Sequence, residues 1–217
     1  MRRLLITAML LMPLIAGAVE PPYLDILPDA WYIEEVQSFL DQGYLDGAQT
    51  TFRAGDRATR AEFIKLIVEV NGGILDEIPT SSAFGDVSPG DWYFGYLEES
   101  AREGWTRGDG NCFVAENRGK DAARTCHVRP NDSITRAEAA VLVQRAFGRK
   151  RLGKAPAFAD NASGEWYTDA VQAAADHCIL RGDDGTRSVR PFDPVNRAEM
   201  VAMLYRVDGG GEYPECL

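Results

Sequence analysis

The chain has 217 residues and a formal net charge of −10, from 33 acidic against 23 basic side chains. That balance excludes the usual nucleic-acid binder, which needs a basic footprint to displace counterions. Hydrophobic residues make up 45%, and the 21 Gly and 11 Pro are scattered, so one or two packed domains are implied and disorder or collagen is excluded.

Residues 1–18 read as a secretory signal peptide. Met1-Arg2-Arg3 is the positive start, Leu4 to Ile15 an apolar run, and Ala16-Gly17-Ala18 a small-residue cleavage site. Removing Arg2 and Arg3 takes the net charge from −10 to −12. No later stretch is apolar enough to span a bilayer, so a secreted protein with no membrane span after cleavage is expected.

The remainder repeats itself. An aromatic-x-Asp followed by Trp-Tyr occurs at Tyr23/Asp25/Trp31-Tyr32, Phe84/Asp86/Trp92-Tyr93 and Phe158/Asp160/Trp166-Tyr167. Each time the Trp lies six residues after the Asp, and a glycine (Gly47, Gly108, Gly182) lies sixteen after the Trp. Twelve after the Trp stands Gly43, Gly104 or Cys178. A second block opens at Arg53, Arg129 and Arg190 and ends in Thr59-Arg60-Ala61-Glu62, Thr135-Arg136-Ala137-Glu138 and Asn196-Arg197-Ala198-Glu199. The copies span 19–76, 77–152 and 153–208, with a tail at 209–217.

Each copy predicts helix, loop, helix. Ile33, Val36, Phe39, Leu40 and Tyr44 form a helical stripe ending near Gly43. The second helix starts in a capping box, with Thr59 and Glu62, Thr135 and Glu138, or Asn196 and Glu199 serving each other's backbone amides. Two short helices cannot bury an apolar face alone, so the three units pack on one another. The fold class is mainly α, three helix-loop-helix repeats in a pseudo-threefold, three-pronged bundle.

The second copy is about 15 residues longer between its glycine and its Arg129, an insertion near 109–128 that contains Cys112 and Cys126. In an exported protein the four cysteines suggest disulfides. Cys112–Cys126 would close the insertion at a gain of roughly 3 kcal/mol, leaving Cys178–Cys216 for the C-terminus. The spacings match no zinc motif, and no metal ligand or cofactor is assigned.

These motifs resemble the S-layer homology domain, over residues 23 to about 208. The resemblance implies a helical three-pronged bundle. It also implies non-covalent anchoring of an exported protein to a bacterial cell-wall polysaccharide, either a secondary cell-wall polymer with pyruvate ketals or a peptidoglycan-linked glycan. Asn196 in place of Thr, Cys178 in place of Gly and the insertion depart from the pattern and put equal competence of three sites in question.

The residues suggest how an acidic glycan would be held. Arg60, Arg136 and Arg197 begin helices, where unpaired amides and the dipole favour an anion and a guanidinium adds a fork for a carboxylate. Trp31, Trp92 and Trp166 offer apolar faces to sugars, or else serve as core. Gly47, Gly108 and Gly182 permit close approach. Arg53, Arg129 and Arg190 widen the cationic surface or pair with Asp56, Asp132 and Asp193, and the leading aspartates are turn formers or caps. No nucleophile elbow, His-Glu-x-x-His or phosphate loop occurs, so no catalytic residue is assigned. The alternative is a structural or protein-interaction scaffold of the cell envelope that has lost glycan binding and presents the insertion to a protein partner.

Overall fold

A computed structural model of the chain describes residues 23–73, 75, 79–109, 126–183, 185–207 and 209. The signal segment, Cys112, Cys216, most of the insertion and most of the tail lie outside the described residues. Cys126 and Cys178 are each disulfide-bonded.

The protein is mainly helical. Its described helices are α1 (Ile33–Asp41), α2 (Arg60–Val70), α3 (Phe94–Arg102), α4 (Arg136–Phe147), α5 (Thr168–Asp176) and α6 (Arg197–Val207). The only β pairing among the described residues is three isolated bridges, Arg57↔Asn196, Thr59↔Ser133 and Thr135↔Pro194.

Local chemistry explains the helix ends. The Thr59 hydroxyl accepts the Glu62 amide while a Glu62 carboxylate oxygen accepts the Thr59 amide, at 3.2 and 2.8 Å. Thr135 with Glu138 and Asn196 with Glu199 make the same reciprocal bonds. Two of the four orphan amides at each helix start are thereby satisfied. The first helix of each copy stops at a residue in the left-handed region: Gly43 (φ 77°), Gly104 (φ 75°) and Cys178 (φ 62°). The next amide then folds back onto the helix, Tyr44 to the Phe39 carbonyl, Trp105 to Ser100 and Ile179 to Ala174. Cys178 adopts this conformation without glycine's freedom.

The helices exchange partners between copies. α1 packs on α6, α3 on α2, and α5 on α4, while α2, α4 and α6 meet one another in the centre. The first helix of each copy therefore covers the second helix of the copy before it, and α1 closes onto the last copy. No copy has a complete apolar interface of its own.

The extended residues before the central helices are joined in a closed cycle. The Ala58 amide donates to the Val195 carbonyl, Val195 to Ile134 and Ile134 to Ala58, at 2.9, 2.9 and 3.0 Å. All three residues are fully buried. Phe39, Phe63, Ile64, Leu97, Ile179, Met200 and Leu204 fill the core around them. Among the described residues no helix is long and apolar enough to cross a membrane.

Candidate functional site

The motif arginines sit where each helix start meets the neighbouring copy. Arg60 Nε donates to the Val128 carbonyl, Arg136 Nε to Val189 and Arg197 Nε to Phe52, at 2.7 to 2.8 Å. Each also pairs with the motif glutamate of the next copy in a second closed cycle. Arg60 meets Glu138 at 2.7 Å as an ion pair without hydrogen-bond alignment, Arg136 meets Glu199 at 3.0 Å and Arg197 meets Glu62 at 2.5 Å. Their side chains are only 11%, 7% and 12% exposed.

The three differ in what they have left. Arg136 uses its third nitrogen as well, Nη2 donating to the Arg181 carbonyl at 2.6 Å. Burial pushes its pKa below the usual arginine range, with Glu199 opposing that shift. Arg197 keeps Nη2 outside these bonds and lines a surface groove.

The leading aspartates act over a long range rather than as local turn formers. Asp25 accepts the amides of Phe52 and Arg53, both at 2.7 Å. Asp86 accepts those of Val128 and Arg129, and Asp160 those of Val189 and Arg190 together with the Ser188 hydroxyl. The arginines so clamped, Arg53, Arg129 and Arg190, all have positive φ, at 57°, 51° and 50°. A non-glycine residue there is strained by about 1–3 kcal/mol, and charge-assisted bonds to the carboxylate hold it. Burial raises the Asp25 and Asp160 pKa values, but the clamped amides, with the Ser188 hydroxyl at Asp160, outweigh it and hold both carboxyls below the usual range. Arg53 and Arg190 lie near Asp56 and Asp193, at 3.7 and 3.3 Å, while Arg129 lies 3.6 Å from Glu138.

The Trp-Tyr pairs split between surface and core. Trp31, Trp92 and Trp166 are 57–59% exposed, whereas Tyr93 and Tyr167 are buried and Tyr32 packs against the core. Each Trp ring stands edge-on to its Tyr at 5.2 to 5.3 Å. Burying the Tyr fixes the Trp at the surface, with its apolar ring open to solvent. Phe192, also exposed, extends the third set through Tyr167 at 5.4 Å.

Two of the tryptophans rim grooves. One groove, of about 260 Å³, is lined by Tyr44, Asp46, Arg53, Lys65, Trp92 and Arg197, so all three copies contribute to it. The other, of about 950 Å³, brings Trp31 to Phe158, Arg181, Gly182, Asp183 and Arg187. Trp166 and the first-turn Arg60 and Arg136 line neither. The glycines serve packing and backbone conformation. A Cβ on Gly182 would come within 2.6 Å of the Phe158 ring, one on Gly47 within 3.2 Å of Leu40, and Gly108 has φ 65°.

A family model of the S-layer homology domain matches residues 158–201. That segment is an S-layer homology domain. The matched segment holds the Asp160 clamp, Trp166, Gly182, Arg187 and the start of α6. The chain is also 26% identical over 186 residues to "Exoglucanase XynX" of Acetivibrio thermocellus, covering 82% of this chain and 16% of that protein. It is 36% identical over 77 residues to an amylopullulanase of Thermoanaerobacterium thermosulfurigenes, covering 36% of this chain and 4% of that one. It is 31% identical over 126 residues to "Surface-layer 125 kDa protein" of Lysinibacillus sphaericus, covering 56% of this chain and 9% of that one. The chain thus spans less than a fifth of each of these relatives.

Proposed function

We propose that this protein attaches non-covalently to a bacterial cell wall by binding an acidic wall polysaccharide, such as a pyruvylated polymer, in the tryptophan-rimmed grooves. The S-layer homology match and the likeness to a surface-layer protein support the anchoring role. The observation that carries it to a site is the groove where an exposed Trp92 faces Lys65, Arg53 and Arg197. An indole presents a flat apolar face to sugar C–H groups, and the cations face a ring carboxylate. All three copies are read here as S-layer homology repeats arranged about a pseudo-threefold axis, on the exported side of the cell. A binding module, not an enzyme, fits matches that cover 16% and 4% of the exoglucanase and the amylopullulanase.

Net charge opposes an anionic ligand at long range, but that field is screened within about 8 Å at physiological salt. Short-range hydrogen bonds in the grooves therefore decide the outcome. The internal pairing of Arg60, Arg136 and Arg197 favours a second reading, a scaffold of the envelope that keeps the fold without the glycan.

Co-sedimentation with purified wall sacculi separates the two. The full chain is expected to pellet with sacculi, and replacing Trp31, Trp92 and Trp166 together by Ala is expected to leave it in the supernatant while its circular dichroism is unchanged. A full chain that stays in the supernatant would favour the scaffold reading, and equal pelleting of the triple variant would show that the tryptophan-rimmed grooves are not the site.

A further inference from the structure

We infer that Arg187 is the anion-recognising residue of the groove beside Trp31, and that this groove selects a carboxylate-bearing sugar through a cation outside the repeated motif. The inference rests on the wall-anchoring reading and names the residue that gives one of its grooves charge specificity.

The two grooves are not equivalent. In the groove rimmed by Trp92, the motif arginine Arg197 is in the lining with Nη2 uncommitted. At the groove beside Trp31 the motif arginine tied to the lining is Arg136, whose Nη2 is bound to the carbonyl of the groove residue Arg181 and whose other nitrogens go to Val189 and Glu199. It is not in the lining, and each of its three nitrogens is already engaged inside the protein. Arg190, the block-opening arginine of the same copy, is held by Asp183 at 3.1 Å and by Asp193.

Arg187 is exposed and lines the groove, and its guanidinium makes no hydrogen bond or ion pair among the described residues. Its backbone, by contrast, is fixed. The amide donates to the Asp183 carbonyl at 3.2 Å and the carbonyl accepts the Ala159 amide at 2.9 Å. Its φ is 53°, a conformation that a non-glycine residue occupies only when its surroundings impose it. An anchored backbone with an unspent planar fork, on the same groove as an exposed indole, is what a sugar carboxylate requires. Arg187 stands three residues before Arg190, where the other copies have Thr50 and Cys126, so the repeat pattern does not mark it.

The test reads each groove separately. Indole N–H resonances of the full chain, assigned by single Trp→Phe variants, are followed while soluble wall polysaccharide is added. The polysaccharide is used in its native form and after reduction of its carboxylates to alcohols. For the wild type, native glycan is expected to shift the Trp31 signal, and reduction is expected to weaken that titration about tenfold, the worth of one charge-assisted bond. Arg187→Ala should weaken native binding at Trp31 by a similar factor and erase the difference between the two glycans, with Trp92 titrating as before. Arg187→Lys keeps the charge without the fork and should fall between. If Arg187→Ala still distinguishes native from reduced glycan at Trp31, or if native glycan moves Trp92 and not Trp31, the inference is overturned while anchoring stands. If no tryptophan signal moves with the wild type, the anchoring reading falls and this inference with it.

Discussion

Replacing Arg136 by Met is expected to lower the unfolding free energy by about 3 kcal/mol or more, the cost of removing one member of a buried ion pair. The side chain is 7% exposed and serves three acceptors, the Val189 and Arg181 carbonyls and Glu199. Methionine fills much of the volume but leaves all three unmet. In a domain of this size the loss corresponds to a fall in Tm of about 10 °C. Adding Glu199→Gln to Arg136→Met removes the stranded charge and should recover part of the loss, while the Nε and Nη2 acceptors remain unserved. Urea unfolding checks both. A loss under about 1 kcal/mol would mean that the arginine–glutamate cycle does not join the copies.

The second large effect concerns the aspartate clamp. Asp160→Asn should cost about 2 kcal/mol, because two amides and a hydroxyl lose a charged acceptor and Arg190 keeps a strained φ. The pH dependence has a definite sign. The folded pKa of Asp160 lies below the ordinary 3.8. Its contribution is therefore complete above that value and is lost as pH falls through the lower folded value. Asp25 has the same sign, as does Asp176, where burial is outweighed by the amides of residues 152–155. Glu98 has the opposite sign. Burial raises its pKa, partly offset by Ser82 and Ala83, so its protonation favours the fold as pH falls. Subtracting variant from wild type cancels Glu98. The stability gap between wild type and Asp160→Asn should be constant from pH 7 to about 5 and close below pH 4. A gap that widens on acidification would contradict the clamp.

The helices and their starts were legible because they depend on spacing within a few residues. Thr59 and Glu62, or Thr135 and Glu138, specify a capping box wherever the chain goes. The exchange of helices between copies was not legible, since the stripe of Ile33, Val36 and Phe39 shows that a face is buried but not which copy covers it. The clamps were hidden for a similar reason: Asp25 and Phe52 are 27 residues apart, and nothing in the name of Arg53 signals a positive φ. The Trp-Tyr dipeptides left burial open, and only packing shows that the indole of each pair lies at the surface. The sequence points to the motif arginines as ligand donors because an isolated Thr-Arg-Ala-Glu places a free guanidinium at a helix start. In the assembled fold each one meets a glutamate of the neighbouring copy. Arg187 carried no signal at all, because it falls in the segment where the copies differ.

The most direct measurement of the central claim is binding of the full chain to sacculi before and after their accessory polysaccharide is stripped away, leaving bare peptidoglycan. Retention on intact sacculi and its loss on stripped ones is the result expected of a protein that anchors through an acidic wall polysaccharide. Equal retention on both, or none on either, would contradict it.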